Sequence, residues 1–585
     1  MDIVFLSRGA KLISRVFSPN RRTVPAIPFV PQKPHPISGS EDYRFFERVA
    51  PEKVGISSKT VKDFLHDLSL DKTVNLHGIT MLKDGKVFCE CDMGMYSGEI
   101  YHATFSMCKT IVGLAVGMLF DEGKLSLDDS ITDLLGTSGI GRISKKNLTV
   151  RHLLTMSSGV SFNELGAVTE TDWEKAYMES SLKFSGGDEF EYNSMNTYIL
   201  SLIVARVSGI SLNNFLLPRL WKPLEIDIHP WETCPKGVEK GGWGLYLRRE
   251  DAAKIGVLIM NGGVWRGKRL ISEKYITHAT RRQKGCPKDY GGFDYGYQMW
   301  SGREYESFLL NGMFGQNVLG IKKNGIIIVC NGGNDELFQQ SGFFDKVQKY
   351  FSALDTDRPL KPNIKNWVLL RSELKKISKT GVTAVKNPFL RLKNKFFLNT
   401  VSGSEYLLTS KNAVSASLLP VMLRIVQNNY AEGIEKISFL FEEDTLHTDF
   451  YTPFGKYRVS AGVSAPVYGT LDFCGEEYTV GAFARAGKNE DGIWVITLKL
   501  AFCETPSEKT IKFFFLSGGD MKITFTERPG PRLARRFTDL LNAAVKNRFI
   551  TGIAGKGDKE YIKHKINSTF EPEYTAVKKE KSPRT

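Results

Sequence analysis

Cysteine is sparse in this chain, eight in 585 residues, too few and too scattered to build a disulfide framework. Cys89 and Cys91 form a C-x-C with no second pair to complete a zinc site. Alternation along a predicted strand puts both on one face, which suits buried thiols. The nine histidines contain no H-E-x-x-H and no H-x-H, so metal-dependent hydrolysis has no ligand set and no cofactor is expected. No apolar run is long enough to span a bilayer. The formal charge of +15 comes without a zinc-finger, RNP-type or basic-zipper pattern, and Lys and Arg are scattered. The basic character therefore predicts a solvated surface and no nucleic-acid partner.

The N-terminus, MDIVFLSRGAKLISRVFSPNRR, lacks an uninterrupted apolar core, because Arg8, Lys11 and Arg15 break it, and no small-residue cleavage site follows. A soluble, cytoplasmic protein is the expectation. These residues do form an amphipathic pattern, with Phe5, Leu12, Ile13 and Val16 opposite Arg8, Lys11 and Arg15. Such a helix either docks onto its own protein or makes peripheral contact with an anionic membrane surface. Oligomeric state has no signature.

What is present divides into five stretches. Residues 1–42 are the amphipathic segment and a connector rich in proline (Pro25, Pro28, Pro31, Pro34, Pro36). Residues 43–358 mix helical and strand periods. In this part Lys59 to Leu70 is helical, and Gly78 to Lys83 and Lys86 to Cys91 are strands joined by Asp84-Gly85, a strong hairpin signal. Residues 359–400 read as a basic, weakly patterned linker. Residues 401–550 carry six strand-like runs, Ile437 to Phe441, Gly455 to Val459, Tyr478 to Ala484, Gly492 to Phe502, Thr510 to Leu516 and Met521 to Thr526, with Ser517-Gly518-Gly519-Asp520 as a hairpin tip. They predict an antiparallel β-rich domain, sandwich or barrel, followed by a helix from Pro529 to Lys546. Residues 551–585 read as a basic, flexible tail.

The chemistry concentrates between Phe105 and Leu125. From Thr110 the apolar residues recur at helical spacing, through Ile111, Leu114, Ala115 and Met118, so Ser106 and Lys109 of an S-x-x-K pattern lie one turn apart at a helix start. A serine hydroxyl is a weak nucleophile until a base takes its proton, and a partly buried lysine can lose its charge and do so. The unpaired N–H groups of the same first turn can hold an oxyanion.

The chain goes on to Leu153-Leu154-Thr155-Met156-Ser157-Ser158-Gly159, then Tyr192-Asn193-Ser194 ahead of a helix over Ile199 to Val207, then GGWGLYLRREDAAKIGVLIMNGGVWRGK from Gly241. Residues 42–354 with these motifs in this order resemble the serine β-lactamases, penicillin-binding D,D-peptidases and related esterases and amidases. The nearest branch in resemblance is that of the esterases and 6-aminohexanoate-dimer hydrolases. The resemblance implies a β-lactamase/transpeptidase-like α/β (α+β) fold, an antiparallel sheet flanked by helices, with Ser106, Lys109 and Tyr192 as catalytic residues. It assigns Asn193 to the substrate amide, Gly315 to the strand beside the nucleophile and the Gln316 N–H to the second oxyanion donor. Tyr295, Tyr297 and Trp300 match aromatic residues of the family's sheet.

One position departs from the pattern. The third family motif, K-T-G or H-x-G, is here Met313-Phe314-Gly315-Gln316, so no cation stands where a substrate carboxylate would bind. Gly315 suits a substrate lying against an unobstructed backbone. The expected activity is a serine hydrolase acting through an acyl-enzyme on a small ester or amide without that carboxylate. The alternative is a retired or penicillin-binding module that acts by binding through the cleft or the β-rich domain.

Overall fold

The computed structural model describes residues 30–36, 43–167, 170–409, 416–426, 433–453, 455–530 and 571–579. The predicted N-terminal helix lies outside the described residues, as do most of the Pro529 to Lys546 helix and the last six residues of the basic end. The described chain forms two compact units: 43–93 with 97–378, and 30–36, 94–96 and 379 onward.

The first unit is built on an eight-stranded sheet. Its strands are β1 (Glu47–Arg48), β2 (Leu76–Lys83), β3 (Lys86–Asp92), β4 (Phe293–Tyr295), β5 (Trp300–Gly302), β6 (Ser307–Gly312), β7 (Gln316–Ile321) and β8 (Ile326–Gly332). They run in the order β1-β3-β2-β8-β7-β6-β5-β4, antiparallel except for the β1–β3 pair. Asp84 and Gly85 both have positive φ, 51° and 69°, the two-residue turn whose twist matches the flanking strands.

Both faces of the central strands are apolar, so both are covered. Ile79, Met81, Ile328 and Cys330 pack with Phe64 and Leu68 of α1 (Ser58–Leu70), while Val318, Ile327 and Val329 pack with α2 (Cys108–Asp121), α3 (Ser194–Ser208) and α4 (Arg249–Met260). Cys89 and Cys91 are buried on the α1 side, as alternation predicts. No single described helix is long and apolar enough to cross a membrane.

In the second unit ten strands form one sheet. They are β9 (Ser404–Leu408), β10 (Lys436–Glu442), β11 (Thr445–Thr452), β12 (Gly455–Gly462), β13 (Val467–Phe473), β14 (Glu476–Lys488), β15 (Trp494–Phe502), β16 (Glu508–Phe515), β17 (Met521–Arg528) and β18 (Glu573–Lys578). Their order is β12-β11-β10-β9-β18-β17-β16-β15-β14-β13, and a parallel bridge between Gly462 and Phe483 joins β12 to β14. Nine strands thus close into a barrel with β13 on its flank. Alternate residues face inward, among them Phe439, Phe450, Phe513, Phe525 and Tyr478, so side chains fill the interior.

Two expectations need correction. The stretch 359–400 is not a plain linker: it holds α5 (Ile364–Ile377) and α6 (Pro388–Val401), each started by an asparagine cap, Asn363 and Asn387. Leu370 and Ile377 join the core of the first unit, and Phe397, Leu398 and Val401 that of the second. Only two positions of α5 and four of α6 are buried, which is why their composition hides the pattern. The presumed tail contributes β18, paired to both β9 and β17. With Tyr574 and Ala576 alone facing inward, its sequence EYTAVK reads as polar.

Ala576 is fully buried in that closing strand. Ala576→Asp is expected to destabilise the second unit by at least about 3 kcal/mol, through an unpaired buried charge. Denaturant unfolding should then show an early transition, with the transition of the first unit unmoved.

Candidate active site

Ser106 sits in a single 3-10 turn, Phe105–Met107, that leads straight into α2. The residue before it, Phe105, has φ 47°, a left-handed conformation that is uncommon for a bulky side chain. Packing holds it there: the Phe105 ring meets Phe314 edge-on at 5.5 Å. Phe314 belongs to the turn joining β6 and β7. A Cβ on Gly312 at the start of that turn would lie 2.2 Å from the Thr104 carbonyl oxygen, so the two turns touch backbone to backbone.

One helical turn on, Lys109 is 1% exposed. Its Nζ donates to Ser106 Oγ (2.8 Å), Ser194 Oγ (2.9 Å) and the Gly242 carbonyl (2.6 Å). Among the described residues no carboxylate pairs with it. Burial pulls its pKa down from 10.5 to about 8, against the smaller upward pull of Cys108 and Glu164. A neutral amine has two hydrogens and one lone pair. With Gly242 and Ser194 taking the hydrogens, the lone pair faces the Ser106 hydroxyl.

Tyr192 is half-buried, with its hydroxyl on the Ser106 side and its ring 4.9 Å from Lys109 Nζ. Burial holds its phenol well above the ordinary tyrosine value, so it stays protonated. The ring stacks on Trp300 at 5.6 Å, and Phe338 meets it edge-on at 5.2 Å. Tyr295, Tyr297 and Trp300 are buried as read from the sequence, and Trp300 also backs Tyr192.

The structure does not put Asn193 at a substrate. Its Nδ2 donates to the carbonyls of Val160 (3.0 Å) and Phe162 (2.9 Å), and its Oδ1 accepts from Met195 N as the cap of α3. The amide is fully used in holding the loop. Its neighbour Ser194 reaches Lys109 instead, and the Ser194 N–H donates to Glu164 Oε1 at 2.7 Å. Position three of the Tyr-Asn-Ser motif pointed to Ser194. Glu164, in a short helix 28 residues before Tyr192, left no signal.

Gly315 has φ +90°, and an added Cβ would lie 2.6 Å from Asn334 Nδ2. Glycine is therefore required by backbone conformation and by Asn334, rather than by clearance for a substrate alone. The Gln316 side chain is buried and bonded to the Gly332 and Met313 carbonyls, which leaves its backbone as the part that can serve a ligand. Met313 is half-buried. Gly242 lies so close to α3 that a Cβ there would be 2.8 Å from the Ser194 carbonyl oxygen.

Residues 96–332 match the family model described as Beta-lactamase. The first unit carries a Beta-lactamase family domain. A 6-aminohexanoate-dimer hydrolase of Paenarthrobacter ureafaciens is 25% identical over 270 residues, 41% of this chain and 67% of that protein. Protein flp of Staphylococcus aureus (strain MW2) is 28% identical over 164 residues, 25% of this chain and only 33% of its own length. A penicillin binding protein from Bacillus halodurans is similar in structure, with TM-score 0.37, 18% identity, and 49% of this chain and 97% of that one covered. The Beta-lactamase family is one of serine hydrolases, and the first unit is of that type.

The contact between the Gly312 and Ser106 turns generates a prediction. Gly312→Ala should slow fluorophosphonate labelling of Ser106 by about tenfold or more, since small displacements of a reacting group cost that much. The thermal midpoint should fall by only a few degrees. Undiminished labelling would show that this contact does not position Ser106.

Proposed function

We propose that the Beta-lactamase family domain hydrolyses a small ester or amide through a covalent acyl-Ser106 intermediate. The observation that carries this reading is Lys109 Nζ at 2.8 Å from Ser106 Oγ, buried without a carboxylate and lowered to about 8. At pH 7 about a tenth of such a lysine is neutral, against less than about a thousandth of an exposed one.

In the proposed reaction Lys109 takes the Ser106 proton as the oxygen bonds to the substrate carbonyl carbon. The N–H groups of Ser106 and Gln316 receive the oxyanion, each worth on the order of 3 kcal/mol in other hydrolases. Tyr192, protonated and beside Lys109, passes a proton to the leaving group and is resupplied from Lys109. Water then attacks the acyl-serine, gives its proton to Lys109 and releases the acid, and the proton returns to Ser106.

Met313 in place of Lys or His supports a substrate without a carboxylate at that end. By its name, the Paenarthrobacter relative acts on 6-aminohexanoate dimer, and an amide of comparable size fits this reading.

Intact mass after incubation with a fluorophosphonate, a p-nitrophenyl ester and a penicillin tests the proposal. Wild type should gain the first two acyl or phosphonyl groups and react poorly with penicillin, and Ser106→Ala should gain none and lose turnover by about a thousandfold or more. Absence of any adduct in wild type would overturn it in favour of a cleft that only binds.

The pH dependence follows from the lowered lysine. The base works when deprotonated, so the acylation rate should rise about tenfold per unit below the Lys109 pKa and level off above about 8. A plateau already reached at pH 6 would rule Lys109 out as the base.

A further inference from the structure

Large apolar side chains stand exposed mainly in one part of the sequence. Of seventeen such residues among the described ones, nine fall between Leu360 and Phe396. On α6, Phe389 (85% exposed), Leu392 (70%) and Phe396 (71%) occupy positions i, i+3 and i+7, one stripe on the side opposite the buried Phe397, Leu398 and Val401. On α5, Ile364 (78%), Trp367 and Val368 form a similar stripe opposite Leu370 and Ile377. Each helix thus has a second apolar face that its own unit does not cover.

Charge identifies the occupant. Residues 359–400 contain ten Lys and Arg against the single Glu373, nine of the surplus of fifteen positive charges in the whole chain. Lys361, Lys365, Arg371, Lys375, Arg391 and Lys393 are exposed beside the stripes. A second copy of the chain would bring the same positive charge to the contact. Residues 1–29 and 531–570 are also basic, with five Lys and Arg against one acid and nine against three. Phe389, Leu392 and Phe396 are each exposed over most of their surface, as side chains that enter a deformable acyl layer must be.

We propose that α6 seats the protein on an anionic lipid surface, with Phe389, Leu392 and Phe396 entering the headgroup boundary and the flanking lysines and arginines of the second unit meeting lipid phosphates. The three apolar side chains lie on one helix of the second unit, so the proposal does not depend on how the two units are arranged. It is independent of the hydrolase reading.

Flotation of the full chain with phosphatidylcholine vesicles, with and without phosphatidylglycerol, tests it. Wild type should float with the anionic vesicles only, and release as salt rises from about 0.1 M to about 0.5 M. The triple variant Phe389→Ser, Leu392→Ser, Phe396→Ser should bind about tenfold or more weakly, and so should Lys379→Glu, Lys386→Glu, Lys393→Glu. Both should keep wild-type thermal unfolding and Ser106 labelling. Failure of wild type to float with anionic vesicles, or undiminished flotation of both folded variants, would overturn the proposal. So would a wild-type oligomer in light scattering that the apolar variant dissolves without any vesicle binding.

Discussion

The first unit depends on a lysine buried without a counter-charge. Lowering Lys109 from 10.5 to about 8 corresponds to about 3 kcal/mol spent against its protonated form. The unfolded chain keeps the ordinary lysine value, so this penalty on stability is fully present below pH 8 and fades as pH rises toward 10.5. A carboxylate partner would remove the penalty and also the reactivity, because it would hold the proton on. The fold instead surrounds Nζ with Ser106, Ser194 and a backbone carbonyl, groups that satisfy hydrogen bonds without fixing the charge.

That arrangement explains the glycines around it. Gly242 must lack a side chain because its carbonyl reaches Lys109 from a turn pressed against the start of α3. Gly312 must lack one because the turn ending β6 lies on the Thr104 carbonyl. Between these contacts Phe105 is kept at a positive φ, a cost of order 1 kcal/mol or more that the Phe314 contact and the backbone approach sustain. The strain lies directly before Ser106, which makes the orientation of the Ser106 turn a result of tertiary packing rather than of helix propensity.

Much of this was legible in the sequence where local chemistry and periodicity coincide. The Ser106 and Lys109 spacing survives because one turn of helix brings them together whatever surrounds them, and the Asp84-Gly85 turn is read from its own φ requirements. Asn193 was misread because motif position does not reveal direction: the amide turns into the loop as a helix cap, and the hydroxyl beside it faces the lysine. Glu164 was invisible because a carboxylate bonded to a backbone N–H across 30 residues has no spacing rule. In the second unit β9, β11, β13 and β18 escaped notice: few residues of β13 and β18 face inward, β9 and β11 have polar side chains among their buried ones, and the closure of the barrel is a non-local fact. The helices of 359–400 were hidden by the exposed faces that set them apart.

The distribution of charge separates the roles of the two kinds of surface. A chain with fifteen surplus positive charges could be expected to present a cation to its substrate, as the relatives with Lys or His in the third motif do. Here Met313 takes that place, and the carboxylates near the cleft, Glu164 and Glu336, are held by hydrogen bonds from Ser194 N and from Asn334, Gln340 and Ser341. Introducing a cation at 313 would place it near the β6–β7 turn and raise the cost of protonating Lys109 further. The positive charge is concentrated instead in 359–400, where solvent screens it at little cost to the fold. A basic composition therefore says nothing about the polarity of the cleft; the side chains around Ser106 decide that.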